Sequence, residues 1–206
     1  MILFITAQDA ATSDNFIVAG HLMATAATAL CGPTATRAPL LAALEANGDQ
    51  PFLAFSHGEP REIRGHDDNL GIGEGDIALL INRRTYAHAC HTGESLGPLV
   101  AGAGGIWFGY AGPVNALPSD PDTINLFREI VDFIAQHFPE CDSPALAQAF
   151  MDDLSALTDV GFDTVCATAS LEQLHTFRDI SRRLRIWLPG VPEPIKHPEA
   201  FGDPVL

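Results

Sequence analysis

Apolar residues come along this chain in two rhythms. Through residue 110 they form short continuous runs, at Ile2 to Thr6, Phe52 to Phe55, Thr85 to Ala89 and Gly105 to Tyr110. Runs of this kind, rich in aromatic and β-branched residues and bounded by polar or glycine-rich stretches, predict buried strands. Between the first two runs, Phe16, Gly20, Met23, Ala27 and Leu30 recur at helical spacing. They predict a helix capped by Ser13 or Asp14 and stopped by Gly32-Pro33. Pro39 to Ala46 predicts a second helix, ended by Asn47-Gly48, and Leu96 to Ala101 a short third. Alternating strand and helix argues for an α/β fold, a parallel sheet with helices on both faces and right-handed crossovers.

From Asp122 onward the rhythm is helical. Ile124, Phe127, Val131, Ile134 and Phe138 line one face, and Pro139 ends it. Ser143-Pro144 opens the next helix with a cap and a proline at the first helical position. Leu146, Phe150, Leu154 and Leu157 continue that helix, and Leu171, Leu174, Phe177, Ile180 and Leu184 mark the last. Leu184 to Leu188 fits the end of that helix or an edge strand equally. Gly58 to Asp76 reads as a polar surface loop near one rim, Ile77 to Ile81 as a short apolar piece, and Ala111 to Pro121 as another rim loop. Five prolines after residue 188 predict an extended tail lying over the surface. No internal repeat and no linker divides the chain. The expectation is a single domain over 1–206, with a core at 1–118, C-terminal helices at 122–188 and the tail at 189–206.

The 206 residues suffice for one domain with a real core, and a 47% hydrophobic composition supports that reading. A net charge of −15 argues against binding the phosphate backbone of nucleic acid, which needs clustered cations. The apolar start, Met1 to Ile5, is short and lacks a basic flank, so it reads as a strand rather than a signal peptide. No apolar run reaches the ~20 residues of a membrane span. Cys31, Cys90, Cys141 and Cys166 are scattered without a Cys-x-x-Cys pair, which predicts free thiols and a cytoplasmic location.

Two strands deliver reactive side chains at their carboxyl ends. Phe52 to Phe55 leads into Ser56-His57-Gly58, and Thr85 to Ala89 leads into Cys90-His91-Thr92-Gly93. In a parallel sheet those ends share a rim, where such folds place their sites. A thiol with an imidazole beside it is the minimal set for nucleophilic acyl transfer. Taken alone, Cys90 is a buried structural thiol and His57 a loop residue, since free cysteine is among the most buried residue types. A glycine close behind each shifts the balance, because glycine frees backbone amides at a tight turn.

Strand, Ser-His-Gly, strand, Ala-Cys-His-Thr-Gly resembles the caspase-like cysteine peptidases, which include caspases, metacaspases, gingipains, separases and CHAT domains. The likeness spans roughly Pro51 to Val114 and continues through Leu96-Gly97, Ala101-Gly102-Ala103 and Gly105 to Tyr110. His88 stands where the caspase signature has Gln, and the spacing from the histidine is shorter, which points to the CHAT and gingipain branches. The resemblance implies a three-layer α/β/α sandwich and a cysteine endopeptidase working on a protein or peptide substrate. It implies Cys90 as nucleophile, His57 as base and then acid, and the Gly58 and Cys90 amides as the oxyanion hole. It also implies a substrate pocket from Asp9, His88 and Tyr110, and a regulatory protein partner. No third catalytic residue suggests itself. A thiol next to an imidazole is expected to have its pKa lowered. With Asp9 in the wall, basic substrate residues rank ahead of apolar ones and acidic ones last.

The rivals are a catalytically inactive caspase-like binding module and a flavodoxin-like domain with a coincidental cysteine. A metal site built on His88, Cys90 and His91, with His57 and His66, is disfavoured. Strand alternation sends His88 and Cys90 to one face and His91 to the other. Gly71-x-Gly73-x-Gly75 lacks nucleotide-binding spacing, and no Gly-x-Ser-x-Gly elbow is present. No cofactor is expected.

Overall fold

In a computed structural model of the chain, which describes residues 1–116, 118, 120–167 and 170–201, the four apolar runs are the central strands of one sheet. The first half contains β1 (Ile2–Ile5), α1 (Ala10–Ala19), β2 (Thr28–Cys31), α2 (Arg37–Ala46), β3 (Phe52–Phe55), β4 (Gly58–Glu59), β5 (Glu62–Arg64) and β6 (Leu70–Gly73). The second contains β7 (Arg84–His88), α3 (Leu96–Gly102), β8 (Ile106–Tyr110), α4 (Pro121–His137), α5 (Pro144–Val165), α6 (Leu171–Arg182) and β9 (Leu184–Trp187). The main sheet has the order β2-β1-β3-β7-β8-β9, parallel throughout except for β9, which runs antiparallel to β8.

Each central strand is buried on both faces, and its side chains divide by alternation. Leu3, Ile5, Leu53, Phe55, Tyr86, Phe108 and Tyr110 join a core with α1, α4, α5 and α6. Ile2, Phe4, Phe52, Ala54, Ala87 and Trp107 join a second core with α2 and α3. The result is three layers, helix on sheet on helix, as the strand–helix alternation predicted.

Two expectations fail in the first half. The helix after β1 stops at Ala19, passes through a 3₁₀ turn at Gly20–Ala24, and gives way to β2, which pairs with β1 from Ile2 opposite Thr28 to Ile5 opposite Cys31. Phe16 and Met23, the predicted face, are 36% and 43% exposed. An edge strand is paired on one side and only half covered, so it carries no continuous apolar run to announce it. The cap is Asp9 rather than Ser13 or Asp14. Its carboxylate accepts from the Thr12 amide at 3.0 Å, while the Thr12 hydroxyl accepts from the Asp9 amide at 3.1 Å.

Gly58 to Asp76 is not a loop but a small antiparallel sheet, β4-β5-β6. Its strands are too short to show alternation, and its apolar anchors are Ile63 and Ile72, both fully buried in the α2–α3 core. Arg37 on α2 grips both oxygens of Asp76, in the turn after β6, at 2.8 Å and donates to the Gly71 carbonyl of β6 at 3.2 Å, which fastens the small sheet to α2. The undecided segment after α6 is a strand, β9. The tail covers its outer edge, with Ile186 and Ile195 exchanging two backbone hydrogen bonds of 2.9 Å. Arg83, 1% exposed, is consumed structurally, its guanidinium donating to carbonyls of Leu44, Asn47, Gly48 and Gln50 at the end of α2. Among the described residues no helix is long and apolar enough to cross a membrane.

Candidate active site

The chain leaves β1 to build β2 on one side and returns to build β3 on the other. The connecting helices divide accordingly, α1 on one face of the sheet and α2 on the opposite face. At such a reversal a crevice opens beyond the carboxyl ends of the strands, where open α/β sheets place their sites. Asp9 follows β1, His57 follows β3, and Cys90 follows β7, the next strand over. Register brings them to one rim, since Ile5 lies opposite Phe55 and Phe55 opposite His88. The ladder extends past the strands, with the Thr6 amide donating to Phe55 at 3.0 Å and the Ser56 amide to His88 at 3.2 Å.

His57 turns its Nε2 to the second carboxylate oxygen of Asp9 at 2.6 Å. Asp9 therefore does two jobs, capping α1 with one oxygen and holding the imidazole with the other. Burial works against ionising this carboxyl, but hydrogen bonds from Thr12 and His57 outweigh it and hold its pKa below the ordinary value. The pair is open to solvent, with side chains 35% and 49% exposed. Asp9 was expected in the pocket wall; both its oxygens are engaged elsewhere.

Gly58 packs on the backbone of Cys90. A Cβ placed there would sit 2.5 Å from the Cys90 carbonyl oxygen and 2.8 Å from the Ala89 methyl. No other residue allows so close an approach. The Arg64 amide donates to the His57 carbonyl at 2.9 Å, which makes His57 and Arg64 a hydrogen-bonded pair of the β4–β5 ladder. By alternation Gly58 opposite Ile63 is a non-bonded pair, so its N–H points away from β5.

Cys90 sits at a sharp corner. His91, directly after it, has φ +63°, a left-handed conformation costing a β-carbon-bearing residue of the order of 1–3 kcal/mol. The corner is pinned by the His91 amide on Gly112 (3.0 Å), the Thr92 hydroxyl on Ala89 (3.0 Å) and the Gly93 amide on Tyr110 (2.9 Å). The thiol is clamped by one residue of the loop after β8. The Val114 amide donates to Sγ at 3.3 Å, and the Val114 carbonyl accepts from it at 3.5 Å. Burial pushes the thiol pKa up, and the amides of Val114 and Cys90 itself offset this only in part. The expected lowering is thus overturned, since desolvation of the thiolate outweighs every donor that reaches it.

His88 and Tyr110, the other expected pocket residues, are 5% and 0% exposed. Their rings meet edge to face at 5.3 Å, and the Tyr110 hydroxyl pairs with that of Tyr86 at 2.5 Å, so Tyr110 backs His88. Burial drives the His88 pKa from 6.5 down to about 4, so the ring is neutral. Its Nε2 is buried and has no hydrogen-bond partner among the described residues. The ring lines a narrow apolar gap between the sheet and helices α1, α4 and α6, also lined by Ala116. His91 pairs instead with Glu94, Nδ1 to Oε1 at 2.7 Å. Among the described residues no group of three His, Cys, Asp or Glu could hold a metal ion, and all four cysteines are free.

Sequence reasoning missed the Asp9–His57 pair and the Val114 clamp. The first had a signal, an acid just past β1, but needed the strand order to place β1 beside β3. The second had none, since any residue supplies a backbone amide and carbonyl. No family model matches the chain, and no curated protein matches it.

Proposed function

We propose that this chain is a caspase-like cysteine endopeptidase, with Cys90 as nucleophile and His57 as general base and acid. The observation that carries the reading is the placement of thiol and imidazole. They stand past adjacent parallel strands at the carboxyl rim, beside the reversal in strand order, with Gly58 packed on the Cys90 backbone. Asp9 is added as a positioning residue that orients the imidazole from Nε2.

The resting thiol is protonated, because burial raises its pKa. As Sγ attacks the scissile carbonyl carbon, its proton passes to His57. The oxyanion is met by the amides of Gly58 and Cys90, donors best spent on charge that develops during the reaction. His57 then gives the proton to the departing amine, leaving a thioester. Water hydrolyses the thioester with His57 again as base, releasing the acid and restoring the thiol.

The second reading, an inactive caspase-like binding module, is favoured by the clamp of Val114 on the thiol. One experiment separates the two. The purified chain is given a peptide library and, separately, a peptidyl electrophile that carries a library hit. Turnover lost in Cys90→Ala, with one adduct mapped to Cys90, is the expected result. Turnover that survives Cys90→Ala sinks the peptidase reading, and a folded chain with neither turnover nor adduct establishes the binding module.

A further inference from the structure

Two arginines stand side by side where β7 begins, and the fold makes full use of only one. Arg83 is spent on the carbonyls that end α2. Arg84 has a buried Nε with no hydrogen-bond partner among the described residues. Its ion pair with Asp142 stands at 3.7 Å, beyond hydrogen-bond length, and the two side chains are 30% and 60% exposed. A pair so loose and so wet adds little to stability. What the two residues share is a wall, since both line an open cleft of about 280 Å³.

The cleft lies at the opposite end of the sheet from Cys90. Asn82 and Arg84 lead into β7, Gly104 and Ile106 into β8, and Leu188 and Val191 come just after β9, which runs the other way. Asp142 and Pro144, at the start of α5, complete the lining. The volume is at the small end of the ~300–1,000 Å³ of ligand sites. Its walls hold one cation, one anion and apolar surface from Ile106, Leu188 and Val191.

We infer that this cleft binds a free α-amino acid with an apolar side chain, its carboxylate on Arg84 and its ammonium on Asp142. A simple anion drawn to Arg84 would meet the Asp142 carboxylate beside it, and a simple cation drawn to Asp142 would meet the guanidinium. Only a zwitterion can part the two without leaving either charge unmatched. In an α-amino acid both charged groups hang from one carbon, so they reach two protein groups that are themselves close neighbours. A guanidinium offers a carboxylate two parallel donors, which its loose contact with Asp142 leaves unused. The side chain of the ligand then covers Ile106, Leu188 and Val191. The site is independent of the peptidase reading.

The test is an NMR titration of the whole chain that follows the backbone amides of Asn82, Gly104 and Val191. Leucine is compared with isocaproate, which lacks the ammonium, with isoamylamine, which lacks the carboxylate, and with glycine, which lacks the apolar part. Leucine should move these amides and bind at least ~10-fold more tightly than any of the other three. Arg84→Gln and Asp142→Asn should each weaken leucine by a similar factor. Asp142 is exposed, so its variant keeps the test alive if loss of Arg84 disturbs folding. Isocaproate bound as tightly as leucine, with no effect of Asp142→Asn, would make this an anion site and overturn the inference. Leucine that leaves all three amides unmoved up to ~10 mM overturns the cleft as a binding site for it.

Discussion

The ends of β3 and β7 lie side by side, yet they prepare their residues in opposite ways. Past β3, His57 is half open to water and hydrogen-bonded to Asp9. Past β7, the thiol of Cys90 is covered by Val114, and the His88 ring is buried against Phe55 and Tyr110, its Nε2 without a partner among the described residues. Two histidines of one rim are thus given different roles by solvation alone. The dry one is held neutral by burial.

The sharpest way to break this contrast is to exchange proton chemistry for none. His57→Ala should lower kcat/KM for a cleaved peptide by about 10²–10⁴-fold, the usual weight of a positioned acid–base group. The same readout on His88→Leu should show turnover largely retained, since the ring is neutral and packed against Phe55 and Tyr110. Equal losses from both would show that the two ends do not divide the work.

A stability measurement tests the dry side. Because the His88 pKa falls from 6.5 to about 4 on folding, the unfolded chain takes up a proton more readily between those values. Stability from this group is full above pH 6.5, is lost as pH falls toward about 4, and changes no further below that. The span is worth at most about 3 kcal/mol. Urea unfolding of the wild type and of His88→Leu at pH 7 and pH 4.5 should show the wild type losing more. Parallel losses would mean that His88 is solvated.

Smaller effects sharpen the wet side. Asp9→Asn keeps an oxygen for the Thr12 amide but removes the charge beside His57. It should leave the unfolding midpoint nearly unchanged and cost roughly 3–10-fold in kcat/KM, the scale of an exposed ion pair. A loss of stability with full activity would make Asp9 a helix cap and nothing more. The mildest test is the order of alkylation. Cys166 is exposed and Cys90 is clamped with a raised pKa, so limiting iodoacetamide near neutral pH should mark Cys166 before Cys90. Alkylation of Cys90 first would mean that the clamp opens freely in solution.

The chain's own residues determined a good deal. Continuous apolar runs made β1, β3, β7 and β8 legible, because a strand covered on both faces has no polar side to interrupt it. Helical spacing and the Ser143-Pro144 start made α4 and α5 legible, and two strand-end motifs made Cys90 and His57 candidates. The rest depended on neighbours remote in sequence. β2 and the β4-β5-β6 sheet are short and half covered, so their pairing partners define them. Asp9 became a partner of His57 only when β1 was laid beside β3, and no local pattern encodes strand order. The thiol's pKa was set by desolvation and by a backbone clamp 24 residues away in sequence. Burial is a property of the packed whole, so the charge state of a group can be read only after the fold around it is known.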